Sequence, residues 1–264
     1  MLDFIRKWFR ANLSDPCIQI GRYELPLKLD NKHEIAYFEK FRAKIDDVDV
    51  AIAQLLLKPG DIALDLGANI GYVSLHLLTL GAREVHAFEP NPVIFGRLKH
   101  IRAQNLHCYP YAIGEKSSIG KLILSVSHHQ GSTLYPKVVS IRPKVYGKNP
   151  EIVQVDVRSI DELFPCTRFD YVKVDIEGGE LDFVRGAHMM LTHHPPRVLI
   201  LEIKPEFRQH YLETLSPYFS HVRRVDYDKA TGGIRLMKID TVANEPYCNQ
   251  PPNFVFTNDS GILE

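Results

Sequence analysis

The chain has 264 residues, 45% of them hydrophobic, with 32 basic and 32 acidic side chains and no net charge. That length suits one large domain, and the charge balance leaves no electrostatic footprint for nucleic acid. The four cysteines, Cys17, Cys108, Cys166 and Cys248, are scattered without a CxxC pair, which argues against a zinc or disulfide framework and fits a reducing, cytoplasmic setting.

No apolar run approaches the ~20 residues of a membrane span. At the amino terminus, "MLDFIRKWFRANL", the charged Asp3, Arg6, Lys7 and Arg10 interrupt any signal-peptide core. On a helix, Leu2, Phe4, Ile5, Trp8, Phe9 and Leu13 share one side and Arg6, Lys7 and Arg10 the other. Such a basic amphipathic helix docks on its own domain or on a second subunit, or makes peripheral contact with an anionic membrane surface through residues 1–13.

Residues 17–29 read as two short strands around the Gly21-Arg22 turn, and Ile35 to Leu57 as a helix ended by Pro59-Gly60. A strand–helix alternation follows: "DIALDL", "NIGYVSLHLLTLG", "EVHAFE", "PVIFGRLKHIRAQN", then an extended "LHCYPYAIG". Residues 115–150 break it with a strand pair and a loop, after which come "EIVQVDV" and a short "SIDELF" helix. The alternation resumes with "FDYVKVDI" as strand, "GELDFVRGAHMMLTHH" as helix and "RVLILEI" as strand, followed by the helix "PEFRQHYLETLSPYF". "VRRVDYD", "GIRLMKI" and "NFVFTN" supply the last strands, antiparallel and joined by hairpins. The pattern predicts an α/β domain over 36–264, with an inserted loop at 115–150 and an amino-terminal extension over 1–35.

The first chemical signal is "DLGANIGYVS". Asp65 ends a strand, Gly67 and Gly71 form the turn that opens a helix, and Glu89 closes the next strand. A glycine turn lets a ligand approach the backbone, and a carboxylate ending the second strand is placed to accept from both ribose hydroxyls. A dinucleotide site wants glycine where Asp65 stands, because an aspartate repels a pyrophosphate. Asp65 suits instead a cationic amino acid end, such as that of S-adenosylmethionine. An NAD-dependent oxidoreductase is therefore disfavoured, and a non-catalytic protein that binds S-adenosylmethionine on the same fold is the other rival.

The stretches "DLGANIGYVSL" (65–75), "AFEPNP" (87–92), "VDVRSIDEL" (155–163), "FDYVKVDIEGGELDFVRGA" (169–187) and "VLILEI" (198–203) carry a family resemblance. The chain resembles class I S-adenosylmethionine-dependent methyltransferases and, more narrowly, the FkbM family. The resemblance implies a Rossmann-like, doubly wound, seven-stranded sheet with helices on both faces and an antiparallel last strand. It implies methyl transfer to an oxygen of a sugar, lipid-linked sugar or other small molecule. It assigns Asp65, Gly67, Asn69 and Gly71 to the cofactor turn, with Ala68, Pro90 and Ala112 beside it, and Glu89 to the ribose. Gly179 departs from the alanine frequent in the family.

Asp175 and Glu177 match the family's acids at the end of the fourth strand and are expected to face the same crevice as Asp65. Three roles are open for them: general base, clamp on the cofactor, or ligands of a divalent metal, which nothing else in the sequence indicates. Lys173 shares a strand face with Asp175 and is expected to pair with an acid or serve the chemistry. Glu180 opens the next helix and is expected to cap it. His128 and His129, in the inserted loop, are candidate substrate contacts, while His193 and His194 are read as favourable charge at a helix end. The sequence specifies neither the acceptor nor an oligomer.

Overall fold

The computed structural model describes residues 16–28, 31–125, 131–204, 207–239 and 253–263. The expected helix over 1–13 lies outside them, as do His128 and His129.

The chain begins with a hairpin of β1 (Cys17–Ile20) and β2 (Tyr23–Pro26), antiparallel to each other. Ile18, Ile20, Leu25 and Leu27 are buried in the same cluster as the central sheet, so the hairpin shares the domain's core. The single helix expected over 35–57 is two, α1 (Lys32–Ala43) and α2 (Val48–Leu56). Lys44 takes a left-handed conformation that stops α1, and the Asp47 side chain accepts from the Asp49 N–H to start α2.

Next come β3 (Ile62–Leu66), α3 (Tyr72–Thr79), β4 (Glu84–Phe88), α4 (Pro92–Leu98) and β5 (Leu106–Tyr109). Then β6 (Ala112–Ile113) and β7 (Ser118–Ile123) lead to α5 (Pro136–Ile141) and α6 (Pro143–Tyr146). The chain continues through β8 (Ile152–Arg158), α7 (Ile160–Leu163) and β9 (Tyr171–Val174). The helix expected after β9 is again two, α8 (Glu180–Gly186) and α9 (His188–His193), with Ala187 between them. Gly186 lies against Gly114, whose carbonyl oxygen would be 2.1 Å from any added Cβ. The last described elements are β10 (Val198–Glu202), α10 (Arg208–Leu215), β11 (His221–Tyr227), β12 (Ile234–Lys238) and β13 (Asn253–Thr257), followed by a short 3-10 helix (Ser260–Leu263).

The central sheet has the order β12-β11-β13-β10-β9-β3-β4-β5, one strand more than the seven expected. The five strands from β10 to β5 are mutually parallel, and β13 enters antiparallel between β10 and β11. Hairpins throughout the carboxyl-terminal strands were expected; among the described residues β11 and β12 form one, and β13 lies between β11 and β10, antiparallel to both. The strand pair expected within 115–150 is also rearranged. β7 pairs with β8, β8 pairs with β6, and α5 and α6 lie in the chain between β7 and β8.

Alternation along the buried strands divides the core between the two faces of the sheet. Ala63, Val85, Tyr171 and Ile200 pack with the hairpin, α2 and α3, while Leu64, Leu66, Val172, Val174 and Leu201 pack with Ile160, Phe183 and Leu191. Strand order reverses between β3 and β9, which is where an open α/β sheet forms a crevice at its carboxyl edge.

Candidate active site

A cavity of about 260 Å³ opens at that edge, where β3, β4 and β9 end. After β3 the chain turns through Gly67, Ala68 and Asn69. The N–H groups of Gly67 and Ala68 both donate to the Phe88 carbonyl, at 3.0 and 2.9 Å. Gly67 has φ +82° and lies against the Asp175 backbone: an added Cβ would fall 1.9 Å from its carbonyl oxygen. Only glycine lets the ends of β3 and β9 approach this closely. Asn69 is left-handed as well, at φ 52°, and its N–H donates to Glu89 Oε2 at 3.0 Å. Glu89 Oε1 accepts from the Asn91 N–H at 2.8 Å. Each Glu89 oxygen thus keeps acceptor capacity towards the cavity. Burial pushes the Glu89 carboxyl up to about 7, against those two hydrogen bonds.

Asp65 and Lys173 are direct cross-strand partners on one face of the sheet. The Lys173 ammonium, 5% exposed, lies 3.5 Å from Asp175 Oδ2, 3.6 Å from Asp49 Oδ2 and 3.9 Å from Asp65 Oδ1. Burial disfavours its charge, but Asp49, Asp175 and Asp65 together outweigh burial and raise its pKa well above the ordinary lysine value. It therefore stays protonated near neutral pH and cannot act as a base. Burial raises the pKa of both Asp49 and Asp65, with Lys173 opposing. Asp49 arrives from α2, and Asp47, Tyr37 and Tyr72 line the same wall, with the two tyrosine rings stacked 4.1 Å apart. Three carboxylates around one ammonium leave the site net negative.

Beyond β9, Glu177 is left-handed at φ 49° and is held from the insertion. Arg142 Nη1 donates to its Oε2 at 2.7 Å, and the Thr133 hydroxyl donates to its carbonyl oxygen at 2.7 Å. Burial, then Asp175, pushes the Glu177 carboxyl up to about 7, with Arg142 and Lys204 opposing. Tyr135 is anchored by a hydrogen bond from its hydroxyl to Asp182. Its ring lies over the "EGG" turn, 3.1 Å from where a Cβ at Gly179 would sit, so the alanine frequent in the family would press on it.

A second cavity of about 190 Å³ adjoins the first and shares Tyr135, Asp175 and Glu177 with it. Val138, Ile141, Leu181, Phe207 and Tyr211 give it apolar walls, and Glu202 and Lys204 also line it. Burial, then Asp175 and Glu177, pushes the Glu202 carboxyl up to about 9. Glu180 is buried there, its Oε1 accepting from the Gly178 N–H at 3.1 Å and its Oε2 from the Tyr211 hydroxyl at 3.3 Å. Those contacts fasten the turn before α8, but Glu180 is the first residue of the helix and the N-cap position is Gly179, with no side-chain cap, so the expected capping is replaced by a tie to the preceding turn and to Tyr211.

Of the residues singled out from sequence, Gly67, Ala68, Asn69, Glu89, Pro90, Ala112, Lys173, Asp175 and Glu177 line the first cavity. Asp65 does not. It is 0% exposed and stands behind the turn, where the Ser74 hydroxyl donates to its Oδ2 at 2.6 Å. Gly71 is also off the lining; its φ of +87° opens α3, and a Cβ there would strike Leu98 and Ile101. Sequence reading missed Asp49, Tyr135, Arg142 and Glu202. The run "DDVD" at 46–49 was the available signal for Asp49, because acids cluster at a helix start. Nothing local marks Tyr135 or Arg142, which reach the site only through the fold of the insertion.

A family profile described as the methyltransferase FkbM domain matches residues 65–229. No curated protein matches the chain. Among solved structures, similarity is found to a precorrin-6y methyltransferase of Geobacter metallireducens, with 13% identity, TM-score 0.42, and 80% of this chain and 88% of that one covered. A TehB-like methyltransferase of Corynebacterium glutamicum has 12% identity and TM-score 0.43, with 86% and 97% covered. A methyltransferase of Agrobacterium tumefaciens has 12% identity and TM-score 0.42, with 93% and 71% covered. Such distant likeness identifies no substrate. The family match covers more than half of the chain and includes the turn after β3, Glu89 and the acids after β9, and the protein belongs to the FkbM methyltransferase family.

Proposed function

We propose that the protein methylates a hydroxyl of a small molecule, sugar or glycolipid, using S-adenosylmethionine held in the first cavity. The observation that carries this reading is the meeting of two cavities at Asp175, Glu177 and Tyr135. One is net negative and has the glycine turn and Glu89; the other has apolar walls suited to an acceptor.

The residues present fit the cofactor. Asp65 Oδ1 is a buried carboxylate oxygen with no hydrogen-bond partner among the described residues, and Asp49 and Asp175 lie beside it across Lys173. That surplus of negative charge suits a sulfonium and an α-ammonium, and it would repel a pyrophosphate. Glu89 would accept the ribose hydroxyls, and Asn69 and Pro90 would border the nucleoside. When bound, S-adenosylmethionine supplies an electrophilic methyl group, which leaves the sulfonium as a neutral thioether.

Glu177 would take the acceptor's hydroxyl proton. It borders both cavities, and a carboxyl pushed up to about 7 is a stronger base than an ordinary one, about half of it ionised at neutral pH and more as pH rises. Arg142 holds its side chain through Oε2. Asp175, paired with Lys173, would clamp the cofactor rather than move a proton. General-base help of this kind contributes on the order of 10²–10⁴-fold. The test is a methyl-donor assay against hydroxyl-bearing sugars and glycolipids, with and without magnesium. Transfer to oxygen that Glu177→Gln reduces at least about a hundredfold supports the reading. Transfer exclusively to nitrogen acceptors, or full activity of Glu177→Gln, would overturn it.

A further inference from the structure

At the amino-terminal end of β4, opposite the edge that carries Glu89, three potential metal ligands converge. We infer that Glu84, His86 and His107 form a binding site for a borderline divalent cation of the Zn²⁺, Co²⁺ or Ni²⁺ type, separate from the methyl-transfer crevice.

The sheet itself brings these groups together. Glu84 and His86 are two residues apart on β4 and therefore project from the same face. His107 is the register partner of His86 on the parallel edge strand β5. Glu84 Oε2 lies 3.6 Å from His86 Nε2 and 3.8 Å from His107 Nε2, and one ligand atom from each residue falls within 4.8 Å of the other two. Ligand atoms at Zn–N and Zn–O distances of about 2.0–2.2 Å in a tetrahedral site stand about 3.4 Å apart. The contraction required is small, and the half-exposed His107 ring, stacked on the His86 ring with centroids 4.9 Å apart, already lies beside its partner ligand.

His86 is held in the manner of a ligand. Its Nδ1 is hydrogen-bonded to the Tyr109 hydroxyl at 3.0 Å, which leaves Nε2 facing Glu84. Phe164 and Phe169 meet the His86 ring edge-on. Metal-bound imidazoles characteristically use their second nitrogen in such a bond, which fixes ring and tautomer. Two imidazoles and one carboxylate select borderline transition-metal cations over Mg²⁺ or Ca²⁺, which prefer all-oxygen shells. Glu84 and His107 lie at the surface, so an entry path exists and a fourth position is open to water. A cation there would clip β4 to the outermost strand of the sheet. The site does not depend on the methyl-transfer reading, since none of its residues lines either of the two active-site cavities.

The experiment is a titration of the intact protein with Co²⁺ and with Zn²⁺, followed by visible absorption and calorimetry, on wild type, His107→Ala, Glu84→Gln and Tyr109→Phe. Both ligands being at the surface, His107→Ala and Glu84→Gln are expected to fold, which circular dichroism verifies. One saturable cation per chain is expected, with affinity lowered at least about tenfold in each ligand variant and by roughly tenfold in Tyr109→Phe. Zn²⁺ is also expected to raise the Tm of wild type and not that of His107→Ala. Affinity and stoichiometry unchanged in both ligand variants would overturn the proposal, as would absence of saturable binding to wild type.

Discussion

Lys173→Met removes the buried ammonium that stands among three carboxylates, the buried Asp65, the partly buried Asp49 and the more exposed Asp175. At an effective dielectric of about 20, a pair of unit charges near 4 Å attracts by about 4 kcal/mol. Lys173 has three such partners, at 3.5, 3.6 and 3.9 Å. Asp49 and Asp65 together give roughly 8 kcal/mol of gross attraction, and the more exposed Asp175 adds only about 1 kcal/mol after solvent screening, set against several kcal/mol for desolvating the ammonium and more for the carboxylates. Removing one member of a buried ionic cluster costs about 3–5 kcal/mol, because the remaining charges stay buried without compensation. The sign of the pH dependence follows from burial. Asp49 and Asp65 already hold their protons more tightly in the folded state, and without Lys173 they hold them more tightly still. An acid with a raised folded pKa gives stability that is complete below its unfolded value and is lost as pH rises through the folded value. Urea denaturation should show Lys173→Met less stable than wild type by about 3–5 kcal/mol near pH 8, with a deficit that shrinks towards pH 5. The Tm should fall by roughly 10 °C. A loss below about 1 kcal/mol near pH 8, or a deficit that grows on acidification, would refute this account of the cluster.

Gly67→Ala should lose at least about 2 kcal/mol in urea denaturation, because its Cβ meets the Asp175 carbonyl and its φ is +82°. Arg142→Gln removes a charge that favours ionised Glu177, so the acidic limb of the pH profile of kcat/KM should move upward from about 7; an unmoved limb would assign the base elsewhere. The ligand-free protein should become less stable as pH rises from about 5 to about 9, since Glu89 and Glu177 titrate at about 7 and Glu202 at about 9 when folded, all above their unfolded values. Equilibrium denaturation across that range measures it, and a rising curve would contradict it.

Local signals in the sequence were sufficient wherever a strand end and a turn define the site together. The spacing of Asp65, Gly67, Glu89 and Asp175 located the crevice, because strands in a parallel sheet all present their carboxyl ends to one edge. What the spacing could not tell was depth. Asp65 and Gly67 are two residues apart, yet one is sealed behind the turn and the other lines the cavity. The break at Lys44 was hidden because the apolar spacing continues across it, whereas a left-handed residue and the Asp47 cap stop and restart the helix. Asp49, Arg142 and Lys173 belong to ion pairs of long sequence separation, which periodicity does not report. The insertion of β13 between β10 and β11 was illegible for the same reason: strand identity is local, but strand order is decided by which edge is left to pair.

The central claim is that the net-negative crevice after β3, β4 and β9 holds S-adenosylmethionine. Its most direct test is calorimetric titration of the wild-type protein and of Glu89→Gln with S-adenosylhomocysteine, and of the wild type with NAD. The account predicts saturable binding of S-adenosylhomocysteine, at least about tenfold weaker in Glu89→Gln, where one of the two backbone N–H groups loses its acceptor and the ribose loses a carboxylate. It predicts no binding of NAD. Binding of NAD without binding of S-adenosylhomocysteine would contradict it.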